Sequence, residues 1–254
     1  MLVVCNGAAK SGSTWLYNII QNIASFEWPQ ERFISRSNSK HPTIKEIYLA
    51  GYLAGDEYRE RNIISKNHYG KPEHRALLTS SDDTRVIGMS RDTRDVIVSS
   101  YYDECRRHGY EGSFETFYWE TGRLLVDRLH RYHEVWSQPH PQIHTTTYED
   151  LKTSFAGEVR KIGDFLGVPL SDEDISRIEQ ATSIGSLRES YKDDPQYNTQ
   201  ENAFFRKGVI GDWENHFDDK MLDDYARIDA NGLGRYDLVY LRNRLREKAA
   251  KLFG

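Results

Sequence analysis

The start of the chain constrains its fold more than any other stretch. Residues 1–5, Met-Leu-Val-Val-Cys, form a short apolar run, and Gly7-Ala8-Ala9-Lys10-Ser11-Gly12-Ser13-Thr14 follows as a run of small residues around one lysine. Trp15, Leu16, Ile19, Ile20 and Ile23 then recur at helical spacing. A buried strand, a glycine loop and an amphipathic helix in that order form the first half of a crossover unit, because the helix must pack back on the strand it leaves. A second junction of this kind is centred on Arg91, where the apolar residues 85–90 precede a helix-forming stretch over 95–102.

The remaining pattern extends this alternation. Residues 26–62 are mixed and aromatic, with a helix expected over 43–59 and a second short strand over 62–66. Phe114, Phe117, Tyr118, Leu125, Leu129, Tyr132 and Trp136 fall on one face of a long helix, and a β-branched strand follows over 142–147. Helices are expected over 151–166, 172–182, 220–231 and 238–252, while 185–211 has no clear period and carries a basic patch. With no repeat or linker to divide it, the chain is read as one α/β domain over 1–254. A central parallel β-sheet is flanked by helices, and ligands sit beyond the carboxyl ends of the strands.

Composition narrows the function. The net charge of −5 argues against nucleic acid or an acidic membrane as partner, since both need a broad basic face. The apolar run at the N-terminus is too short for an export signal or a membrane span. Cys5 and Cys105 form no paired or zinc-spaced motif, which fits a reducing, cytoplasmic setting.

The loop at 7–14 matches the glycine spacing of the phosphate-binding pattern GxxxxGK[ST], except that Ser13 stands where the lysine belongs and the lysine has moved to position 10. Small residues let backbone N–H groups converge on an anion, the helix beginning near Ser13 adds its positive end, and Lys10 adds a full charge. The alternative is a strand-to-helix turn that uses glycine for geometry alone. Loss of the lysine that grips the outer phosphates of ATP points to a different phosphate donor.

Lys10-Ser11-Gly12-Ser13-Thr14-Trp15 resembles the 5'-phosphosulfate loop of the sulfotransferases that use 3'-phosphoadenosine 5'-phosphosulfate (PAPS), and the motifs are most similar to the cytosolic, small-molecule type. Two further segments are similar to that family in the expected order. Arg91 and Ser99, eight residues apart, match its 3'-phosphate pair, and Arg206-Lys207-Gly208-Val209-Ile210-Gly211-Asp212-Trp213 matches its RKGxxGDW signature. The resemblance implies a P-loop-containing sulfotransferase fold and two anion sites, one for each end of the nucleotide. It also places Trp15, Tyr148, Thr182 with Ser183, and Phe205 around the adenosine, with Ile184 where relatives often carry phenylalanine.

Lys66-Asn67-His68 is similar to the segment whose histidine serves the family as general base. The resemblance therefore implies in-line attack on sulfur, with His68 taking the acceptor's proton, Lys10 and Lys66 stabilising the growing charge, and no metal required. The chain departs from the cytosolic pattern twice. Fewer residues precede the first strand, which implies a more open acceptor site or one built from 26–62 and 101–125, whose aromatic content suits an apolar or planar acceptor. The usual dimer motif after Trp213 is replaced by Glu214, Asp218, Asp219 and Asp223, which implies a monomer or another interface. Competing readings are an ATP-dependent small-molecule kinase, a nucleotide-binding module without turnover, and a carbohydrate or protein sulfotransferase.

Overall fold

The computed structural model describes residues 1–35, 40–194, 197, 204–234 and 237. The expected helix over 238–252 and part of the aperiodic stretch 185–211 lie outside the described residues. In chain order the elements are β1 (Leu2–Gly7), α1 (Ser13–Ile23), α2 (Glu46–Leu53), α3 (Glu57–Glu60), β2 (Ile63–Asn67), α4 (Pro72–Leu78), β3 (Thr84–Ser90) and α5 (Thr93–His108). They continue with α6 (Phe114–Phe117), α7 (Arg123–Trp136), β4 (Ile143–Thr147), α8 (Tyr148–Thr153), α9 (Phe155–Phe165), α10 (Asp172–Ala181), α11 (Ile184–Ser190) and α12 (Asp219–Asn231). The chain gathers into two compact units, Met1–Arg91 with Tyr132–Gly208 and Asp92–Arg131 with Val209–Gly254.

The first unit is built on a four-stranded sheet in the order β2-β1-β3-β4, parallel throughout. Val3, Cys5, Ile64, Ile87 and Met89 point to one face, where they bury Leu16, Ile19 and Ile20 of α1 with Val159 and Ile162 of α9 and Ile175 and Ile178 of α10. Each such aliphatic side chain contributes about 1.5–3 kcal/mol when fully buried. The register sets the function: Cys5 pairs with both Lys66 and Ile87, and Ser90 pairs with Thr147. All four strands therefore end at one edge, so the loop after β1, the residues after β2, Arg91 and Tyr148 leave the sheet on the same side.

The four expected strands are all present, three of them to within a residue at either end and β1 running two residues further, to Gly7, and α1 has the expected bounds. Tertiary contacts redraw several helices. The helix expected over 43–59 starts only at Glu46, because Thr43 and Lys45 instead bond to Ser35 and Phe33 as an extended pair. It breaks at Ala54–Asp56, where Gly55 N closes a turn on Tyr52 O. The helix expected over 151–166 is divided at Ser154, whose φ of −138° leaves the helical region. The aperiodic stretch contains α11, capped by the Ser183 side chain accepting from Ser186 N.

In the second unit, α5 is capped by the Asp92 carboxylate accepting from Arg94 N and stopped by Gly109 in the left-handed region at φ 62°. Its Ile97 and Val98 meet Phe114, Phe117, Tyr118, Val126, Phe217, Met221 and Ile228 in one core. The long helix expected over 114–136 holds a π turn at Tyr118–Gly122 between α6 and α7. Beside it the buried Arg123 donates to Asp224 at 2.8 and 3.0 Å and also to Asp237, while Tyr118 Oη lies 3.1 Å from Asp224. Removing the cation alone leaves two acids without their partner, so Arg123→Met should destabilise the protein by about 3–5 kcal/mol in urea denaturation. A loss below 1 kcal/mol would show that the pair carries no such load.

Candidate active site

The loop after β1 is shaped from within. Ser11 N donates to Ala8 O at 3.1 Å, and the Ser11 hydroxyl, wholly buried, is shared between Ala8 O at 2.7 Å and Met89 O at 3.0 Å. Ser11 thus ties the loop to the end of β3 instead of offering its hydroxyl outward. Gly12 caps α1 at φ 95°, and a Cβ there would lie 2.8 Å from the Tyr148 ring and 2.9 Å from Met89 Cε. No side chain caps α1 and no acid sits in its first turn, so the amides of Ser13, Thr14 and Trp15 face a field suited to an anion. Lys10 adopts φ 66°, and its ammonium lies 4.2 Å from the centre of the Phe204 ring.

Beside this loop stand the last residues of β2. Lys66 is only 8% exposed, yet among the described residues no carboxylate or hydrogen-bond acceptor holds its ammonium. Burial, partly offset by the Cys5 side chain, pulls its pKa below the ordinary lysine value. Cys5 itself is a buried thiol whose pKa burial pushes up to about 12, so it offers no nucleophile.

His68 Nδ1 faces Gly7 O, which can only accept; Nδ1 therefore carries the proton and Nε2 is left with its lone pair. Desolvation first, then Lys66 and, less strongly, Lys10 lower the imidazole pKa to about 4, against the hydrogen bond to Gly7. His68 is exposed to solvent, which screens the charges around it and leaves the direction of the shift. His68 is accordingly a neutral base at neutral pH.

On the far side of the loop, the Arg91 guanidinium lies 4.3 Å from the centre of the Tyr148 ring. Tyr148 also meets Trp15 edge-on at 5.4 Å, and Trp15 stacks on Phe155 at 6.0 Å. Phe205 packs against Tyr191 at 5.4 Å, in a cluster that Trp15 also joins. Gly208, at φ 65°, lies so close to Ile184 that a Cβ would come within 2.9 Å of it and 3.5 Å of Tyr148 Oη. Arg206 is half-buried and Lys207 exposed. Thr182 is buried, with its hydroxyl donated back to Ile178 O at 2.8 Å. Every candidate residue named so far in this site belongs to the first unit; Ser99 lies in the second, partly exposed on α5. In that unit Asp95, 1% exposed, accepts from Gly211 N at 2.9 Å and Trp213 N at 3.0 Å and so fixes the second half of the 206–213 motif.

The family model for the sulfotransferase domain matches residues 3–236. The chain belongs to the PAPS-dependent sulfotransferase family. It is 29% identical over 223 residues to human sulfotransferase 1E1, covering 82% of this chain and 75% of that protein. Against cytosolic sulfotransferase 3 of Arabidopsis thaliana it is 26% identical over 258 residues, covering 93% and 78%. The fold is similar to that of a retinol dehydratase solved with androsterone and the inactive cofactor PAP, at a TM-score of 0.66 and 19% identity, covering 92% of this chain and 80% of that one. Among the described residues no helix is long and apolar enough to cross a membrane.

As a sulfotransferase the chain is an enzyme of sulfuryl transfer, and its site depends on residues that motif reading passes over. Asn6, wholly buried at the end of β1, accepts from Tyr69 N at 2.8 Å and donates to Tyr69 O at 3.2 Å, which holds the backbone next to His68. Trp136 Nε1 donates to the same carbonyl at 2.6 Å. Arg188 of α11 donates to Phe205 O at 2.8 Å and to Arg206 O, so it orients the start of the basic motif. Asn6 is unremarkable in sequence because a polar residue ending a strand reads as a turn, and Arg188 because an exposed arginine on a short helix reads as solvated surface.

His41 is a further such residue, with no solvent exposure and both ring nitrogens 2.8 Å from tyrosine hydroxyls. Burial first, then Lys66, Lys40 and His68, lower its pKa from 6.5 to about 2. The folded imidazole stays neutral while the unfolded one takes a proton, so its contribution is full above pH 6.5 and declines as pH falls from there toward 2. The decline is at most about 1.4 kcal/mol per pH unit. The stability advantage of the parent over His41→Gln should therefore shrink by about 2 kcal/mol between pH 7.5 and pH 5.0 in urea denaturation. A gap that stays constant would mean that His41 is not held neutral by the fold.

Proposed function

We propose that this sulfotransferase transfers the sulfuryl group of PAPS to a hydroxyl or amine of a small, largely apolar molecule, with His68 as general base. The observation that carries the reading is Lys66, a buried side chain with no anionic partner among the described residues, at the end of β2, paired with Cys5 of β1 and two residues before His68. A buried charge is costly unless an anion meets it. The glycine cradle at Gly12, where Met89 and Tyr148 leave no room for a Cβ, and the uncapped start of α1 suit the 5' end of the same ligand.

PAPS supplies an activated sulfuryl group and a phosphate leaving group. Lys10, Lys66 and the amides of Gly12, Ser13, Thr14 and Trp15 would receive the 5' end, with Ser11 shaping the loop. Arg91, Arg206, Lys207 and Gly208 would bind the 3'-phosphate, with Trp15, Tyr148, Thr182 and Phe205 around the nucleoside. His68, neutral and with Nε2 unprotonated, would take the acceptor's proton as its oxygen or nitrogen attacks sulfur. Lys10 and Lys66 would neutralise charge on the departing phosphate. The two lysines fill the part that metal ions play in many phosphoryl-transfer sites, so the reading requires no metal.

The androsterone and PAP bound by retinol dehydratase support an apolar acceptor and a 3'-phosphorylated nucleotide here. The family match, which runs through both compact units, supports one catalytic domain made of the two. The cytosolic Arabidopsis relative supports a cytoplasmic setting. The acids Glu214, Asp218, Asp219 and Asp223 support a monomer or a dimer formed elsewhere on the surface.

Calorimetry with 3'-phosphoadenosine 5'-phosphate (PAP), ATP, AMP and adenosine 5'-phosphosulfate tests the donor. PAP should bind far more tightly than the others, and Arg91→Ala should weaken it by about 10- to 100-fold, the worth of a charge-assisted hydrogen bond. Preference for ATP, or indifference to the 3'-phosphate, would return the chain to the kinase reading. His68→Ala should keep PAP affinity and lose about 10²–10⁴ in the rate of sulfuryl transfer. The parent's kcat/KM should hold from neutral pH downward until His68 begins to protonate near its depressed pKa. A His68→Ala enzyme as fast as the parent would remove His68 from the role of base.

A further inference from the structure

His41, a buried ionisable group outside the proposed chemistry, lies between two parts of the first unit. Its own segment is stitched to the strand that carries Lys66. Pro42 O accepts from Lys66 N at 2.7 Å, Ile44 N donates to Ser65 Oγ at 3.0 Å, and Ile44 O accepts from Asn67 Nδ2 at 2.8 Å and Tyr69 Oη at 2.7 Å. The imidazole itself reaches the other way, with Nε2 2.8 Å from Tyr191 Oη and Nδ1 2.8 Å from Tyr197 Oη.

Those two tyrosines carry the aromatic residues that precede Arg206. The Tyr197 ring meets Phe204 at 5.0 Å and accepts from Phe204 N through its carbonyl at 3.0 Å, while Tyr191 meets Phe205 at 5.4 Å. Phe204 in turn lies under the Lys10 ammonium. A third tie runs to the helix of the phosphate loop, where Asn18 Nδ2 donates to Thr14 O at 2.7 Å and to Tyr191 Oη at 3.0 Å. The Tyr191 hydroxyl also lies 3.4 Å from Asn18 Oδ1, and the neutral His41 can accept from one of its two tyrosine hydroxyls and donate to the other. A neutral imidazole can accept at one ring nitrogen and donate at the other, and its lowered pKa keeps it in that state.

We propose that His41 is a positioning residue that joins the Lys66 strand to the aromatic residues presenting Arg206, Lys207 and Gly208, and so sets the grip on the 3'-phosphate. The inference rests on the PAPS reading given above. It assigns His41 no contact with the nucleotide and no part in proton transfer to the acceptor.

The test compares affinities for PAP and AMP, which differ by the 3'-phosphate, in the parent and in His41→Phe, His41→Gln, Tyr191→Phe and Tyr197→Phe. The tyrosine variants keep their rings and the packing around them, so they remain informative if His41→Phe fails to fold. The ratio of AMP to PAP dissociation constants should fall about fivefold for each tyrosine variant, the worth of one net hydrogen bond, and about twentyfold for His41→Phe. AMP affinity itself should stay within about twofold, since none of the substituted side chains belongs to the loop over 7–14. His41→Gln, which retains a donor and an acceptor, should recover part of the ratio. Lower melting temperatures with an unchanged ratio in every variant would overturn the inference and leave His41 a stabilising residue only. A parent that does not distinguish PAP from AMP would overturn the PAPS reading itself, and the inference with it.

Discussion

The hydrogen-bonded register of β1 between β2 and β3 underlies everything else in the first unit. Cys5 is paired on one side with Lys66 and on the other with Ile87, which brings three chain segments distant in sequence to a common edge. Parallel pairing makes this possible because each strand must be re-entered from the same end, so each carboxyl end opens into a loop on the same side. A slip of one residue would turn Lys66 from one face of the sheet to the other and carry His68 out of reach of Gly7 O.

On that frame the site gathers positive charge in a place where charge is costly. Lys66 and His68 both sit where desolvation favours their neutral forms, and the two respond differently. His68, with its pKa lowered to about 4, is neutral at neutral pH. Lys66 starts from a far higher ordinary value, and burial pulls it down against the opposing effect of the Cys5 side chain. The shifts share a direction, and what separates the two groups is their intrinsic basicity.

Around these groups the fold spends buried polar side chains on position. Asn6 holds the backbone at Tyr69, Ser11 pins the phosphate loop to Met89 O, and His41 links two tyrosines. In the second unit Asp95 does the same for Gly211 and Trp213. Each makes two or more hydrogen bonds while fully or almost fully buried, and such networks hold one geometry because leaving any member unsatisfied costs the full desolvation of that group.

What the sequence determined by itself is the alternation of strands and helices, the four strand positions, the phosphate loop and the family. These are local or written in fixed spacings: Gly7 to Thr14, Arg91 to Ser99 and Arg206 to Trp213 are short runs whose residue types are meaningful wherever they fold. Tertiary structure decided the rest. It broke the helices expected over 43–59 and 151–166, placed α11 where no period was visible, and turned Ser11 and Thr182 inward to bond to backbone carbonyls. It also chose Asn6, His41, Asp95 and Arg188 as supports. Nothing in their neighbours along the chain marks these four, because their meaning lies in partners 17 to 156 residues away that only the folded sheet and its loops bring within hydrogen-bond range.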